Sequence, residues 1–356
     1  MTSSDIIKLR LFNQQIVETK YTKPGELVSW MGAIQAQDYS MAKWAIGLRL
    51  PGSDDTSIEK SFNEGKILRT HVLRPTWHFV TPQDIRWMIE LTAPRVLSSL
   101  VHNDRHLSLD KKVLKKTNDV LAKALEGGKQ LTRDEVRSAL QRARIDTSGL
   151  RFMHLLEHAE LDRVICSGAK MGTQFTYALF DERASAKTME RDEALAELTK
   201  RFFTSRGPAT IYDFAWWSGL SVADAKKGIE MVKRKLKREI IDGREYFFRI
   251  PPSFKDEMTP TALLLPNYDE YVLSYKDRTE SIDKKHLPVI LKERNAVFTN
   301  AILINGKIEG LWHRSIKNNA VAVTTRTFSA INKIKQKLVT RAVSRYCKFL
   351  GKSLQA

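Results

Sequence analysis

One pattern recurs three times along this chain: two helices joined by a short turn, then two short extended runs. The third copy shows it best. A helix begins at Pro208 and runs through Trp217, Gly219 supplies the turn, and Ser221 with Asp224 makes a capping-box start to a second helix. Val222, Ala225, Ile229, Val232 and Leu236 repeat at helical spacing and are expected to be the buried side of that second helix. Lys226, Lys227, Lys233, Arg234, Lys235, Lys237 and Arg238 crowd its other faces. Residues 240–250 then read as a hairpin, because the Asp242-Gly243 dipeptide tolerates the positive φ angles of a tight two-residue turn. Helix, turn, helix and hairpin together make the winged-helix layout.

The second copy starts at Leu131-Thr132-Arg133-Asp134-Glu135, continues in a helix over 150–161 and adds strands at 162–165 and 173–179. The first places helices at 6–17, 25–34 and 39–48, and a hairpin over 65–80 that turns near Arg74-Pro75. Past Pro260 the pattern changes to short alternating runs at 262–265, 297–304, 307–313 and 320–325, followed by a basic helix. The expected fold is therefore mainly α with small β elements, an α+β chain of tandem winged-helix repeats with a β-rich C-terminal domain. The divisions fall at 1–82, 83–186, 187–256 and 257–356. A chain of 356 residues is long enough for several such units and a substantial core.

Charge narrows the class of partner. A net charge of +18 and a pI near 9.8 favour a polyanion, although charge speaks to association and not to fold. From Gly310 to Ala356 there are ten Lys or Arg and no acidic residue. Lys333, Lys337, Arg341, Arg345, Lys348 and Lys352 form one stripe of the terminal helix, with Ile331, Ile334, Leu338, Ala342 and Tyr346 opposite. The longest aliphatic run, Ala262 to Leu265, is far too short to span a bilayer. The amino terminus lacks the basic and apolar segments of a signal peptide, so the expected location is the cytoplasm, close to the nucleoid. Neither a phosphate-binding glycine loop nor a G-x-S-x-G elbow occurs. Cys166 and Cys347 have no metal or redox spacing. His154, Glu157 and His158 match an H-x-x-E-H zinc spacing, and His102 and His106 lie four apart. The first set falls on the predicted second helix of a repeat and the second has no carboxylate pattern beside it, so no metal and no cofactor is expected.

The remaining signal is Ile34-Gln35-Ala36-Gln37-Asp38. An amide does not titrate, so Gln35 and Gln37 can only donate and accept hydrogen bonds at fixed positions. Residues two apart do not share a face of a regular helix, so convergence of the pair requires a helix end, a kink or an extended stretch. The expected gap between the second and third helices provides one.

Met31-Gly32-Ala33-Ile34-Gln35-Ala36-Gln37-Asp38, Ala42 to Arg49 and Arg69 to Val80 resemble the AlkZ-like (YcaQ-type) winged-helix DNA glycosylases. The resemblance continues through Leu264 to Asp269, Tyr275 to Arg278, Ile304 to Lys307 and Gly310 to Arg314, in order over most of the chain. It implies a catalytic role for Gln35 and Gln37, and removal of alkylated purines from DNA, crosslinked ones included. An N-alkylated purine leaves as a cation, so two amides that aim a water and present carbonyl dipoles suffice, without a strong acid. Asp38 is expected to be a helix-surface or capping carboxylate and not a general base. Trp77 and Phe79 are expected on the core side of a strand, with Thr76 and His78 on the other. The expected DNA contacts are Arg74, His78, Lys276, Arg278, Arg314, Lys333, Lys337 and Arg341, made by a monomer on damaged double-stranded DNA. The alternative is a winged-helix transcription regulator that does no chemistry.

Overall fold

Side-chain caps set where many of the helices begin. Thr2, Asp38, Asp54, Thr132, Thr210 and Ser221 each accept a backbone N–H from three residues ahead, satisfying a donor that a helix start leaves free. The computed structural model describes residues 1–184, 188–251, 253–254, 259–286 and 300–355.

The first unit contains α1 (Ser3–Asn13), α2 (Pro24–Met31), β1 (Ile34–Gln35), α3 (Tyr39–Arg49), α4 (Asp55–Asn63), β2 (Leu68–Val72) and β3 (Arg74–Val80). α2 stops earlier than its apolar spacing suggests, because Gly32 adopts φ 73° and turns the chain out of the helix. The released residues form β1, which adds to the hairpin in the order β1-β3-β2. Ile34 pairs with Phe79 and Gln35 with His78. The hairpin turns at Leu73, which takes a positive φ of 66°, and α4 is an element the sequence reading did not assign.

The long helices α5 (Ile85–His106) and α6 (Lys111–Leu125) were also unassigned. They precede the second unit of β4 (Leu131–Thr132), α7 (Arg133–Arg142), α8 (Arg151–Leu161), β5 (Ile165–Ser167) and β6 (Thr176–Leu179). After α9 (Phe180–Arg183) and α10 (Arg191–Ser205), the third unit follows as α11 (Ile211–Ser218), α12 (Val222–Val232), β7 (Lys237–Ile241) and β8 (Arg244–Phe248). Asp242 and Gly243 both take positive φ in its turn, at 49° and 72°. The C-terminal part has β9 (Ala262–Leu265), α13 (Glu270–Leu273), β10 (Ala301–Ile304), β11 (Lys307–Lys317), β12 (Ala320–Thr327), the terminal helix Lys333–Leu350 and β13 (Ser353–Leu354). Its sheet runs β13-β12-β11-β10-β9. Residues 297–299 of the expected strand at 297–304 lie outside the described residues. The fold is α+β.

The cores do not follow the repeats one for one. The largest joins α2 and α3 to β9, β10 and the terminal helix, with the Trp44 indole donating to the Leu264 carbonyl at 2.7 Å. A second joins the β2–β3 turn to α5, α10, α11 and α12, while the second unit encloses its own. Ala33 belongs to the second core and Ile34 and Ala36 to the first. The segment carrying Gln35 therefore lies where two cores meet, and packing against both limits its movement.

Three packing expectations need correction. Val222 is 39% exposed, because it opens α12 and the buried side of that helix begins at Ala225. Ile334 is 68% exposed, because the buried side of the terminal helix is formed by Val339, Ala342, Val343, Tyr346, Cys347 and Phe349. Trp77 is only half-buried and lies under the Arg69 guanidinium, 4.3 Å from its ring centre.

Candidate active site

Strand pairing brings the two glutamines together. Gln35 is on an extended strand, so the backbone leads Gln37 back toward the same sheet edge, and the Ala36 N–H donates to the Trp77 carbonyl at 2.7 Å. Gln35 is 6% exposed, and its side-chain oxygen accepts the Gln37 N–H at 3.2 Å. The exposed Gln37 accepts the Trp77 N–H through its side-chain oxygen at 3.4 Å. Each amide oxygen accepts one backbone N–H, and a carbonyl oxygen has two lone pairs.

The loop rests on buried charge. Glu270 is fully buried at the start of α13 and accepts the Gln35 N–H at 2.9 Å. It also accepts from the Arg206 Nε and Nη2, the Trp217 Nε1 and the Ser274 hydroxyl. Burial alone would push this carboxyl up, but the Arg206 guanidinium and these donors hold it at about 2. Arg206 in turn donates to the carbonyls of Met31 and Ala33, the residues leading into the strand. A second buried pair, Arg49 with Asp269, holds the residue next to Glu270, at 2.8 and 2.9 Å through both nitrogens. From the other side the Arg69 Nε donates to the Ala36 carbonyl at 3.0 Å. The sequence reading missed Glu270, Arg206 and Arg69 as supports. Arg69 lies within one of the stretches that carry the resemblance, but the partners of Glu270 lie 53 or more residues away in sequence, apart from Ser274.

Asp38 caps α3. Its carboxylate accepts the Met41 N–H, the Ser40 hydroxyl and the Asn267 side-chain amide. The expected DNA contacts are placed unevenly. Lys276, Lys333, Lys337 and Arg341 are exposed. Arg74 is half-buried at the hairpin turn, 6.0 Å from the Trp216 ring, and its Nε and one Nη have no protein partner. Arg278 donates to the Val272 carbonyl and lies over Trp216, while Arg314 bonds Ser40 and Tyr346 and so ties β11 to α3 and the terminal helix. His78 corrects its expectation, because a ring 0% exposed is out of reach of a DNA phosphate. Arg345 leaves the basic stripe to donate to the Leu48 carbonyl at 2.6 Å.

His154 and His158 face the core side of α8, where His158 is 3.0 Å from Asp104. Among the described residues no group of three or more His, Cys, Asp or Glu could hold a metal ion. Cys166 and Cys347 are free and buried, and burial pushes the Cys166 thiol up to about 12, well away from reactive thiolate. Among the described residues no helix is long and apolar enough to cross a membrane.

Tandem helix-turn-helix units around a clamped Gln-Ala-Gln loop define a class. Residues 28–349 match the family model described as DNA glycosylase AlkZ-like, and the chain belongs to that family. An interstrand DNA cross-link repair glycosylase of Streptomyces sahachiroi is 23% identical over 323 residues, which is 84% of this chain and 84% of that protein. The solved structure of Streptomyces sahachiroi DNA glycosylase AlkZ has the same fold, with a TM-score of 0.80 at 21% identity over 100% of this chain and 99% of that one.

Proposed function

We propose that this protein is a DNA glycosylase that hydrolyses the N-glycosidic bond of cationic N7- or N3-alkylpurines in double-stranded DNA. Bulky and interstrand-crosslinked adducts belong to its substrates, as the name of the Streptomyces relative suggests. It acts as a monomer in the cytoplasm, without metal or organic cofactor. The observation that carries the reading is the clamped loop: two neutral amides sit together at the edge of the first sheet, and the neighbouring carboxylate of Asp38 is engaged as a helix cap.

The alkylated ring already carries positive charge, so the bond from its nitrogen to the sugar breaks with the electron pair returning to the purine. No proton has to be delivered. The sugar becomes oxocarbenium-like, and the amide oxygens of Gln35 and Gln37 stabilise it and orient the attacking water. Preorganisation matters here, because dipoles held by Glu270, Arg206 and Arg69 need not reorient as charge develops. The enzyme is monofunctional in this reading. A lyase step needs a free amine beside the sugar, whereas the buried Lys43 of α3 is engaged by Asp55 and Glu59 at 2.6 and 2.7 Å.

Exposed Lys276, Lys333, Lys337 and Arg341, with Arg74 beside the loop, supply phosphate contacts that carry no sequence information. The test is incubation with a duplex carrying one N7-methylguanine, followed by hot alkali. Strand cleavage at the lesion is expected, and uracil-containing duplex should remain intact. An uncleaved methylguanine duplex would refute the assignment.

A further inference from the structure

Arg74, Thr76 and His78 alternate along β3 and so project from one face of the sheet. Gln35 is the cross-strand partner of His78, which places its side chain on that same face. Four buried polar atoms of this row have no protein partner: the Nε and one Nη of Arg74, the Thr76 hydroxyl oxygen and the His78 Nε2. Among the described residues no other strand or helix carries as many. Buried polar atoms left this way are costly in a fold whose neighbouring carboxylate, Glu270, is fully engaged, and they are a mark of a site for water or ligand.

The geometry also fixes which group His78 offers. Its Nδ1 is 2.9 Å from the Thr76 carbonyl, which can only accept, so Nδ1 carries the proton and Nε2 presents a lone pair. Burial, with the Arg74 charge beside it, pushes the ring down to about 3, which keeps it neutral. A neutral ring adds no positive charge next to a cationic lesion.

We propose that His78 Nε2 is the hydrogen-bond acceptor for the water that attacks the sugar, with the Thr76 hydroxyl as its second anchor beside Gln35. This assignment rests on the glycosylase reading. As the carbon–nitrogen bond breaks, its electron pair goes to the purine and the water oxygen bonds to the anomeric carbon. One water proton remains as the sugar hydroxyl. The other passes to Nε2 and then to solvent. The protonated sugar oxygen is a far stronger acid than an imidazolium, so even a weakly basic ring can take that proton.

The test uses single-turnover release of N7-methylguanine from duplex DNA by the full chain, with methanol present as a competing nucleophile. His78→Leu removes the acceptor at similar volume, His78→Asn keeps a carbonyl acceptor, and Thr76→Val removes the hydroxyl without changing shape. His78→Leu should slow release at least about tenfold with duplex affinity unchanged, and His78→Asn should recover part of that loss. The ratio of methyl glycoside to hydrolysed sugar reports how firmly water is held, which a merely structural role would leave unmoved. It should rise several-fold in His78→Leu and in Thr76→Val, and Thr76→Val carries the test alone if His78→Leu does not fold. Wild-type release with an unchanged ratio in the variants that fold overturns this assignment and leaves the glycosylase reading standing. A wild-type protein that releases no base overturns both.

Discussion

Glu270 and His78 are both buried beside the glutamine loop, and each binds its protons in a way that makes the fold sensitive to acid. Glu270 sits at about 2 against roughly 4.3 in an unfolded chain. Its contribution is complete above the unfolded value and is lost as pH falls toward 2. His78 sits at about 3 against roughly 6.5 unfolded, so the unfolded chain binds the extra proton between those limits. Its contribution is complete above about pH 6.5 and declines as pH falls through the window to about 3. Between pH 7 and 5 that decline amounts to about 2 kcal/mol. Urea unfolding of wild type and His78→Asn at the two pH values should show the smaller difference in the variant. Equal differences would contradict a depressed imidazole. Glu270→Ala leaves Arg206 charged and buried without its carboxylate, and should cost about 3–5 kcal/mol in the same assay. A loss under about 1 kcal/mol would mean the pair does not anchor the loop.

At the scale of elements, the terminal helix is locked to α3 through a glycine. A Cβ on Gly47 would lie 2.3 Å from the Phe349 ring, so Gly47→Ala must displace that ring or push the helices apart. The expected loss is about 1–3 kcal/mol, read by thermal or urea unfolding. Phe349→Ala in the same background should recover part of it, and equal stability of Gly47→Ala and wild type would show that the ring moves freely. What was legible in the sequence follows the range of each interaction. The α11–α12 pair and its hairpin were readable because Ser221 with Asp224 and Asp242 with Gly243 act within a few residues. The end of α2 was missed although Gly32 is a local stop signal, because the apolar spacing continued through Ala33 and Ile34. Gln35 and Gln37 stood out by residue type and resemblance, but the Glu270 that receives the Gln35 N–H lies 235 residues away and no local pattern points to it. Ile334 was misplaced because helical periodicity assigns a face along the whole helix, and the first turn of this one projects past the body it packs on.

Over the whole molecule, a surplus of +18 and an exposed run of cations on the terminal helix should make duplex binding electrostatic and indifferent to sequence. The triple variant Lys333→Glu, Lys337→Glu, Arg341→Glu should weaken binding on every duplex alike, and should lower the slope of log affinity against log salt by about one per lost phosphate contact. Selection from random DNA that returned one strong palindromic site would favour a regulator instead. The division into four units at 82, 186 and 256, of which 186 and 256 lie outside the described residues, stays a proposal, and limited proteolysis is its check. The claim that joins these scales is that a rigid fold presents two neutral amides to a cationic sugar. Single-turnover release of N7-methylguanine tests it most directly, comparing wild type with Gln35→Ala, Gln37→Ala, their double variant and Asp38→Asn. Each glutamine variant should fall by more than about tenfold, at least ~1.4 kcal/mol of transition-state stabilisation, with duplex affinity nearly unchanged and Asp38→Asn only modestly slower. Full release by the double variant, or its abolition in Asp38→Asn while Gln37→Ala remains active, would contradict the account.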